Sequence, residues 1–294
     1  MLARSVGEVV DADTSAILTL PVGLLAGGFV TKLADRTLSD TPLGLRSRCP
    51  ACGASLSFAE TLPVLNWLRL GGSCRGSGVS VTVGDPIAEA VTAVLFVWVV
   101  LRYDQGDTLV VIPLILAVAG VALSVTDLTA YRLPDRLVFP TFWLSLVAMA
   151  VLSILELGRP GALLAAVGSA VGYSLFLFVF HFLKPAAMGF GDVKLALVLG
   201  LHTGWVGTAF FDDTRTAFRL TFGALLAGMF VFLAFSLVVT ALRRFVRADI
   251  LPDPLDDPDE ATPLHRAAVP LGPGLIVGTW MVVLYPDAVL AVAP

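Results

Sequence analysis

Residues 109–135 read LVVIPLILAVAGVALSVTDLTAYRLPD, an apolar run that ends in an aspartate and a proline turn. The part from Leu109 to Val125 approaches the roughly 20 apolar residues that cross a bilayer. Pro134 disfavours helical geometry at the residue before it, so the connection after the run is a structured turn. An ionisable side chain at the end of a membrane helix is a candidate functional residue. The stretch therefore predicts both a membrane helix and a site at Asp127.

Apolar runs of this kind recur along the chain. Of its 294 residues, 57% are hydrophobic and 14% are charged, and the mean hydropathy is +0.88. Soluble domains carry about 25% charged residues. We therefore predict an all-α, polytopic membrane protein with about eight transmembrane helices. The runs are Ser15–Thr31, Pro86–Leu101, Leu109–Val125, Leu137–Leu155, Ala162–Leu183, Val193–Phe211, Leu220–Leu242 and Pro270–Leu290.

The distribution of Lys and Arg predicts the orientation. The connection after the first run is the most basic, with Lys32, Arg36, Arg46, Arg48, Arg69 and Arg75. Basic connections stay in the cytoplasm, so we predict a small cytoplasmic domain in residues 33–85 and both termini outside. A first helix occupies residues 1–32, and a membrane peptidase domain occupies residues 86–294. Because acidic residues precede the first run and no A-x-A site follows it, we expect a retained helix rather than a signal peptide.

A second aspartate lies in a similar setting. The sequence Gly189-Phe190-Gly191-Asp192 comes directly before the run that begins at Val193. In the predicted orientation, Asp127 and Asp192 both lie at the cytoplasmic face. Two acids at one depth can share a proton and activate water, as in aspartic proteases. Taken singly, each acid also fits a helix cap, and the glycines fit turn positions with positive φ.

Residues near the two acids have candidate supporting roles. The absence of side chains at Gly189 and Gly191 would let a substrate backbone come close to Asp192. Lys194 either holds the charge of Asp192 or extends to the membrane interface. We assign Asp135, which opens the fourth run, to helix capping rather than to catalysis.

In their order along the chain, these motifs resemble the type IV prepilin peptidases. The matching motifs are Asp127 with Leu133-Pro134-Asp135, Gly189-Phe190-Gly191-Asp192 with Lys194, and Pro270-Leu271-Gly272-Pro273-Gly274. The first connection matches as well, at Cys49-Pro50-Ala51-Cys52-Gly53, Leu62–Leu68, Cys74-Arg75, Asp85-Pro86 and Glu89. The resemblance covers nearly the whole chain, from about Gly23 to Trp280.

The resemblance implies an intramembrane aspartyl endopeptidase, with Asp127 and Asp192 as its catalytic acids. Such enzymes remove the leader of type IV prepilins or pseudopilins at the cytoplasmic face, for type IV pili and type II secretion. The first motif often reads D-x-D in the family, and Thr129 stands at the second position here. Cleavage requires no cofactor, whereas the methylation of the new N-terminus by many members uses S-adenosylmethionine. The implied location is the bacterial inner membrane, in contact with the lipid bilayer.

The cysteines depart from the family pattern. The family often has two C-x-x-C pairs, a spacing that suits tetrahedral zinc. Here Cys49 and Cys52 form one pair, but the second reads Cys74-Arg75-Gly76-Ser77, so a hydroxyl replaces one thiolate. The cluster is either a weakened zinc site that lacks its fourth ligand at Ser77 or a set of reduced thiols in a small domain. The implied methyltransferase activity depends on the same domain.

The alternative function is a transporter or channel that uses the two acids as proton or ion sites. Transporter sites usually lie near the membrane midplane, on broken helices in repeated halves. Here both acids lie at one face, and the sequence shows no internal repeat. A net charge of −4 with scattered basic residues also argues against a nucleic-acid partner. The pattern favours the peptidase.

Overall fold

Helices make up the described part of the chain. The computed structural model describes residues 6–38, 64, 67, 84–103, 108–185, 188–245 and 269–292. The helices are α1 (Val6–Leu38), α2 (Gly84–Arg102), α3 (Val111–Ala130), α4 (Asp135–Leu155), α5 (Pro160–Leu183), α6 (Phe190–Phe211), α7 (Thr214–Phe245), α8 (Gly272–Leu284) and α9 (Pro286–Val292). One turn of 3₁₀ helix, Thr108–Val110, precedes α3. No strand occurs within these ranges, which confirms the all-α fold class there.

Seven of these helices are long and apolar enough to cross a membrane. The candidate spans are Ile17–Leu38, Gly84–Arg102, Thr108–Ala130, Asp135–Leu155, Pro160–Leu183, Phe190–Phe211 and Thr214–Leu242. At about 1.5 Å per residue, some 20 residues match a hydrocarbon core of roughly 30 Å. Each span overlaps one of the first seven predicted runs. The prediction of a multi-pass membrane protein is confirmed.

The eighth predicted run, Pro270–Leu290, forms two short helices rather than one long one. Helix α8 has 13 residues and α9 has 7. The helix breaks at Tyr285, where φ is −135° and ψ is 59°. The cause is Pro286, because a proline disfavours helical geometry at the preceding residue.

The chain divides into two compact units. The first unit is Met1–Thr126 with Pro134–Leu152, and the second is Asp127–Leu133 with Ser153–Pro294. The boundary passes between Thr126 and Asp127, so Asp127 and Asp192 both belong to the second unit.

In the first unit, α1 packs closely against α2. A Cβ added to Gly27 would lie 2.5 Å from the Cα of Glu89, and one added to Gly23 would lie 2.7 Å from the Cα of Ala93. Glycines allow this close backbone approach, which is a common way for membrane helices to associate. The buried Glu89 side chain accepts a hydrogen bond from the backbone N–H of Val64. Most of the predicted cytoplasmic domain, residues 33–85, lies outside the described residues, and its boundaries stay predictions.

In the second unit, glycines of α6 lie directly against α5. A Cβ on Gly200 would lie 2.6 Å from the carbonyl oxygen of Ser169, and one on Gly204 would lie 2.5 Å from the Cβ of the same serine. The Ser174 hydroxyl donates a hydrogen bond of 2.8 Å to the carbonyl oxygen of Val193. These contacts hold α6, and with it the helix turn that carries Asp192, against α5.

Helices α8 and α9 run antiparallel to α7. Gly274 lies against Phe232, and the Arg219 guanidinium donates a 3.3 Å hydrogen bond to the carbonyl oxygen of Leu290. The start of α8 therefore lies beside the later part of α7, and α9 lies beside its beginning. The eighth segment follows the length of α7 despite its break.

Candidate active site

Asp127 lies in the last turn of α3, and the residue is only 6% exposed. The chain leaves the helix at Tyr131, a non-glycine residue with a positive φ of 51°. It then passes through Leu133 and Pro134 before α4 begins, as the proline turn predicted. The C-terminal end of a helix disfavours a negative charge. Asp127 therefore does not cap its own helix.

The Asp127 carboxylate is held instead by a residue 145 positions further along the chain. The backbone N–H of Gly272 donates a 3.0 Å hydrogen bond to its Oδ2 atom. Gly272 opens α8, so its N–H has no acceptor within that helix. The positive end of the helix dipole favours an acid in this place. In the sequence, the stretch 270–274 stands out as a motif, but no local pattern indicates a role for Gly272.

Asp192 lies in the first turn of α6, and the residue is 8% exposed. The residue at the N-cap is Gly189, with φ of −70° and ψ of 148°. The interpretation of Asp192 as the N-cap is therefore wrong. The prediction of a positive φ at Gly189 is also wrong. Asp192 occupies the third helical position, from which an acid reaches back toward the N-cap backbone. Its carboxylate interacts with the backbone of Gly189.

The structure brings the two aspartates together in the second unit. Their carboxylates interact electrostatically. A Cβ on Gly272 would lie 2.6 Å from Oδ2 of Asp127 and 3.5 Å from Cδ2 of Leu195. Leu195 follows Asp192 by three residues and shares its helix face. The end of α3, the first turn of α6 and the start of α8 thus converge on one site.

The two glycines of the G-x-G-D motif have different surroundings. Gly189 is exposed, and a Cβ there would meet Oδ2 of Asp192 at 3.6 Å, an ordinary contact. The approach of a substrate backbone past Gly189 stays a prediction. At Gly191, a Cβ would lie 3.1 Å from the Cβ of Leu133. Packing therefore explains the glycine at position 191, because the absence of a side chain there makes room for the turn that follows Asp127.

Lys194 contacts the aromatic ring of the same motif. Its Nζ atom lies 5.2 Å from the ring centroid of Phe190, a cation–π arrangement. The His181 ring lies 5.5 Å from that ring, and its Nδ1 atom is 2.9 Å from the carbonyl oxygen of Met188. These contacts anchor the connection that leads into α6. A direct role of Lys194 toward Asp192 stays a prediction.

The predicted metal ligands Cys49, Cys52 and Cys74, and Ser77 beside them, lie outside the described residues. Across the described ranges, no group of three or more His, Cys, Asp or Glu side chains is placed to hold a metal ion. The zinc site thus stays a prediction about the first connection alone.

Two family models match the chain. The model of the type IV leader peptidase family matches residues 114–243, which include both aspartates. The model of the bacterial peptidase A24 N-terminal domain matches residues 22–103, which include the cysteines and Glu89. No solved structure matches the chain.

Three curated relatives are similar to the chain and share one name. A protein of Pseudomonas putida is 30% identical over 250 residues, which cover 83% of this chain and 74% of the relative. A protein of Bacillus subtilis (strain 168) is 32% identical over 194 residues, which cover 64% of this chain and 75% of the relative. A protein of Aeromonas hydrophila is 33% identical over 179 residues, which cover 58% of this chain and 59% of the relative. The chain thus spans about three-fifths of that relative's length. Each is named prepilin leader peptidase/N-methyltransferase.

Proposed function

The chain belongs to the type IV leader peptidase family, and we propose that it is an intramembrane aspartyl endopeptidase that removes the leader peptide of type IV prepilins or pseudopilins. The observation that carries this proposal is the convergence of Asp127 and Asp192, both buried at helix ends, beside the start of α8. Family membership also speaks against the alternative of a transporter or channel.

In the proposed mechanism the two carboxyl groups share one proton, because two like charges in one buried site are costly. The ionised acid takes a proton from a water molecule, whose oxygen attacks the scissile carbonyl carbon. The protonated acid gives its proton to the carbonyl oxygen. Collapse of the tetrahedral intermediate then breaks the C–N bond, and the amine leaves with a proton from the pair. No covalent enzyme intermediate forms.

The position of the site supports a substrate that itself lies in the membrane. Both acids lie near the ends of apolar helices, and the exposed Gly189 leaves one side of Asp192 accessible. A substrate with a basic leader and a following apolar helix would place its cleavage site at this level, with the leader in the cytoplasm. The name shared by the relatives supports prepilins as this substrate class.

We propose N-methylation of the new N-terminus as a second activity, supported by the N-methyltransferase part of the relatives' name. The methyl donor would be S-adenosylmethionine, which peptide cleavage does not need. The match of residues 22–103 to the family's N-terminal domain makes the first connection the candidate region for this activity.

The proposed location is the bacterial inner membrane, with residues 33–85 in the cytoplasm. The excess of Lys and Arg after the first run supports this orientation. Single cysteines placed at Arg46 and Arg69, in a chain without its native cysteines, would test it in intact cells. We expect no labelling by a membrane-impermeant reagent. Labelling from outside would invert the orientation and remove the cytoplasmic site.

Co-expression with a candidate prepilin tests the proposed function. Mass measurement of the prepilin's N-terminus reports leader loss, and an added 14 Da, the mass of a methyl group replacing a hydrogen, would report methylation. We expect the shortened product in the presence of the chain and the full-length prepilin in its absence. Full-length prepilin in both cultures, with the chain present in the membrane, would contradict the peptidase proposal for that substrate class.

A further inference from the structure

We propose that Gly272 is a positioning residue of the active site. Its N–H fixes the Asp127 carboxylate, and its lack of a side chain leaves the space that this carboxylate occupies. The inference rests on the proposed function and goes further, because it makes the start of α8 the third element of the site, beside the two acids.

The hydrogen bond restrains one oxygen of Asp127. The Gly272 N–H lies 3.0 Å from Oδ2, and the carboxylate is buried, so water competes little for either group. Hydrogen bonds to charged groups are stronger than those between neutral groups. With Oδ2 held, the orientation of the whole Asp127 carboxyl group is fixed. Gly272 therefore fixes how this acid is presented to water and substrate.

The same position excludes any side chain. A Cβ on residue 272 would lie 2.6 Å from Oδ2 of Asp127, closer than atoms pack, but at an ordinary 3.5 Å from Leu195. The carboxylate is therefore the group that a substitution displaces. Pro273, the next residue, has no N–H that could donate to the displaced carboxylate. A shift of about 1 Å at a reacting group can cost on the order of 100-fold in rate.

A purely structural role for Gly272 predicts something different. Gly274, in the same helix turn, packs on α7, where a Cβ would lie 2.9 Å from the Cβ of Phe232 and 3.0 Å from the carbonyl oxygen of Gly228. Gly274→Ala therefore disturbs the packing of α8 without touching the carboxylate. It is the matched control, since the substitution and the helix are the same.

The experiment compares kcat and KM for prepilin cleavage by the purified full-length chain and its two glycine variants. Melting temperatures are measured on the same preparations. We expect Gly272→Ala to lose about 100-fold or more in kcat with KM changed less than about threefold. Gly274→Ala should lose clearly less kcat than Gly272→Ala for the same loss of melting temperature.

Several results would overturn the inference. A kcat for Gly272→Ala within about threefold of wild type rejects the inference and leaves the proposed function intact. Equal losses of kcat in both variants, in step with their melting temperatures, show a structural role only. No cleavage by the wild-type chain overturns the proposed function and this inference with it.

A second measurement applies if Gly272→Ala does not fold. Amide hydrogen exchange at Gly272 is followed in the wild type and in Asp127→Ala, which lacks the acceptor. We expect exchange at least about tenfold faster in the variant, in line with the loss of a charge-assisted hydrogen bond. Equal exchange at Gly272 in the two proteins would overturn the inference.

Discussion

Replacing Gly204 with alanine perturbs the contact that holds α6 against α5. The new Cβ would lie 2.5 Å from both the Cβ and the Oγ of Ser169, and 3.0 Å from the carbonyl oxygen of Ala165. Carbon atoms in contact are about 3.5–4.0 Å apart. The two helices must therefore separate by about 1 Å, which would also disturb the first turn of α6, where Asp192 lies.

The loss of stability in Gly204→Ala follows from two opposing effects. Overpacking a dense interior costs about 1–3 kcal/mol, while alanine's better helix propensity recovers up to about 1 kcal/mol. We expect Gly204→Ala to lose about 1–2 kcal/mol of stability. Ser169→Gly removes the two nearest of the three atoms that the new Cβ would meet, and leaves the carbonyl oxygen of Ala165. The Ser169 hydroxyl has no hydrogen-bond partner within the described residues, so its removal breaks no such bond there. The double variant should recover about 1 kcal/mol.

Melting temperatures in detergent for the wild type, the two single variants and the double variant form the assay. Gly172→Ala is the control, because Gly172 lies on α5 and a Cβ there meets nothing within 4 Å. It should be as stable as the wild type or slightly more so. If Gly204→Ala matches this control, or if Ser169→Gly brings no recovery, the close contact of α5 and α6 is refuted.

Three further predictions concern other parts of the chain. The purified protein should carry substoichiometric zinc and keep cutting after chelation, with Ser77→Cys raising zinc retention, whereas a full equivalent of tightly bound zinc in the native protein would contradict this. Glu89→Leu should lower the free energy of unfolding by about 1–3 kcal/mol, because it leaves the Val64 N–H without its acceptor. Glu89→Gln should lower it less. A Leu variant with the wild-type melting temperature would argue against this role of Glu89. Hydrogen bonds, foremost from the Thr216 hydroxyl, hold the pKa of Asp213 below its usual value, so its stabilising effect is present at neutral pH and is lost as the pH falls through the folded-state pKa. Asp213→Ala should therefore lower the melting temperature at neutral pH, with a difference that narrows in acid, and a pH-independent difference would reject this cause.

Local patterns in the sequence were sufficient to predict the membrane helices and the two acids. A membrane helix leaves a long apolar run, and each acid lies at the end of such a run, so both features can be read within a short window. The break at Pro286 was equally local, and the prediction of one continuous eighth segment missed it. The turn after Asp127 was predicted correctly, because Pro134 restricts the residue before it.

Contacts across the fold could not be predicted in this way. Gly272 meets Asp127 across 145 positions, and a glycine between prolines shows only that a backbone N–H and open space exist, not which side chain uses them. Gly191 was interpreted as space for a substrate, but its neighbour is Leu133. In both cases the missing side chain was visible in the sequence, while the group that fills its place depends on helix packing.

The most direct test of Asp127 and Asp192 as the catalytic pair is leader cleavage by Asp127→Asn and Asp192→Asn, measured on purified chains at matched amounts of folded protein. Asp135→Asn is the control, because Asp135 is an exposed residue in the first turn of α4. Acid–base groups contribute about 10²–10⁴-fold in rate. We expect a loss of at least about 100-fold in each of the first two variants and near-wild-type cleavage by the control. Cleavage at close to the wild-type rate by either Asp127→Asn or Asp192→Asn would contradict it.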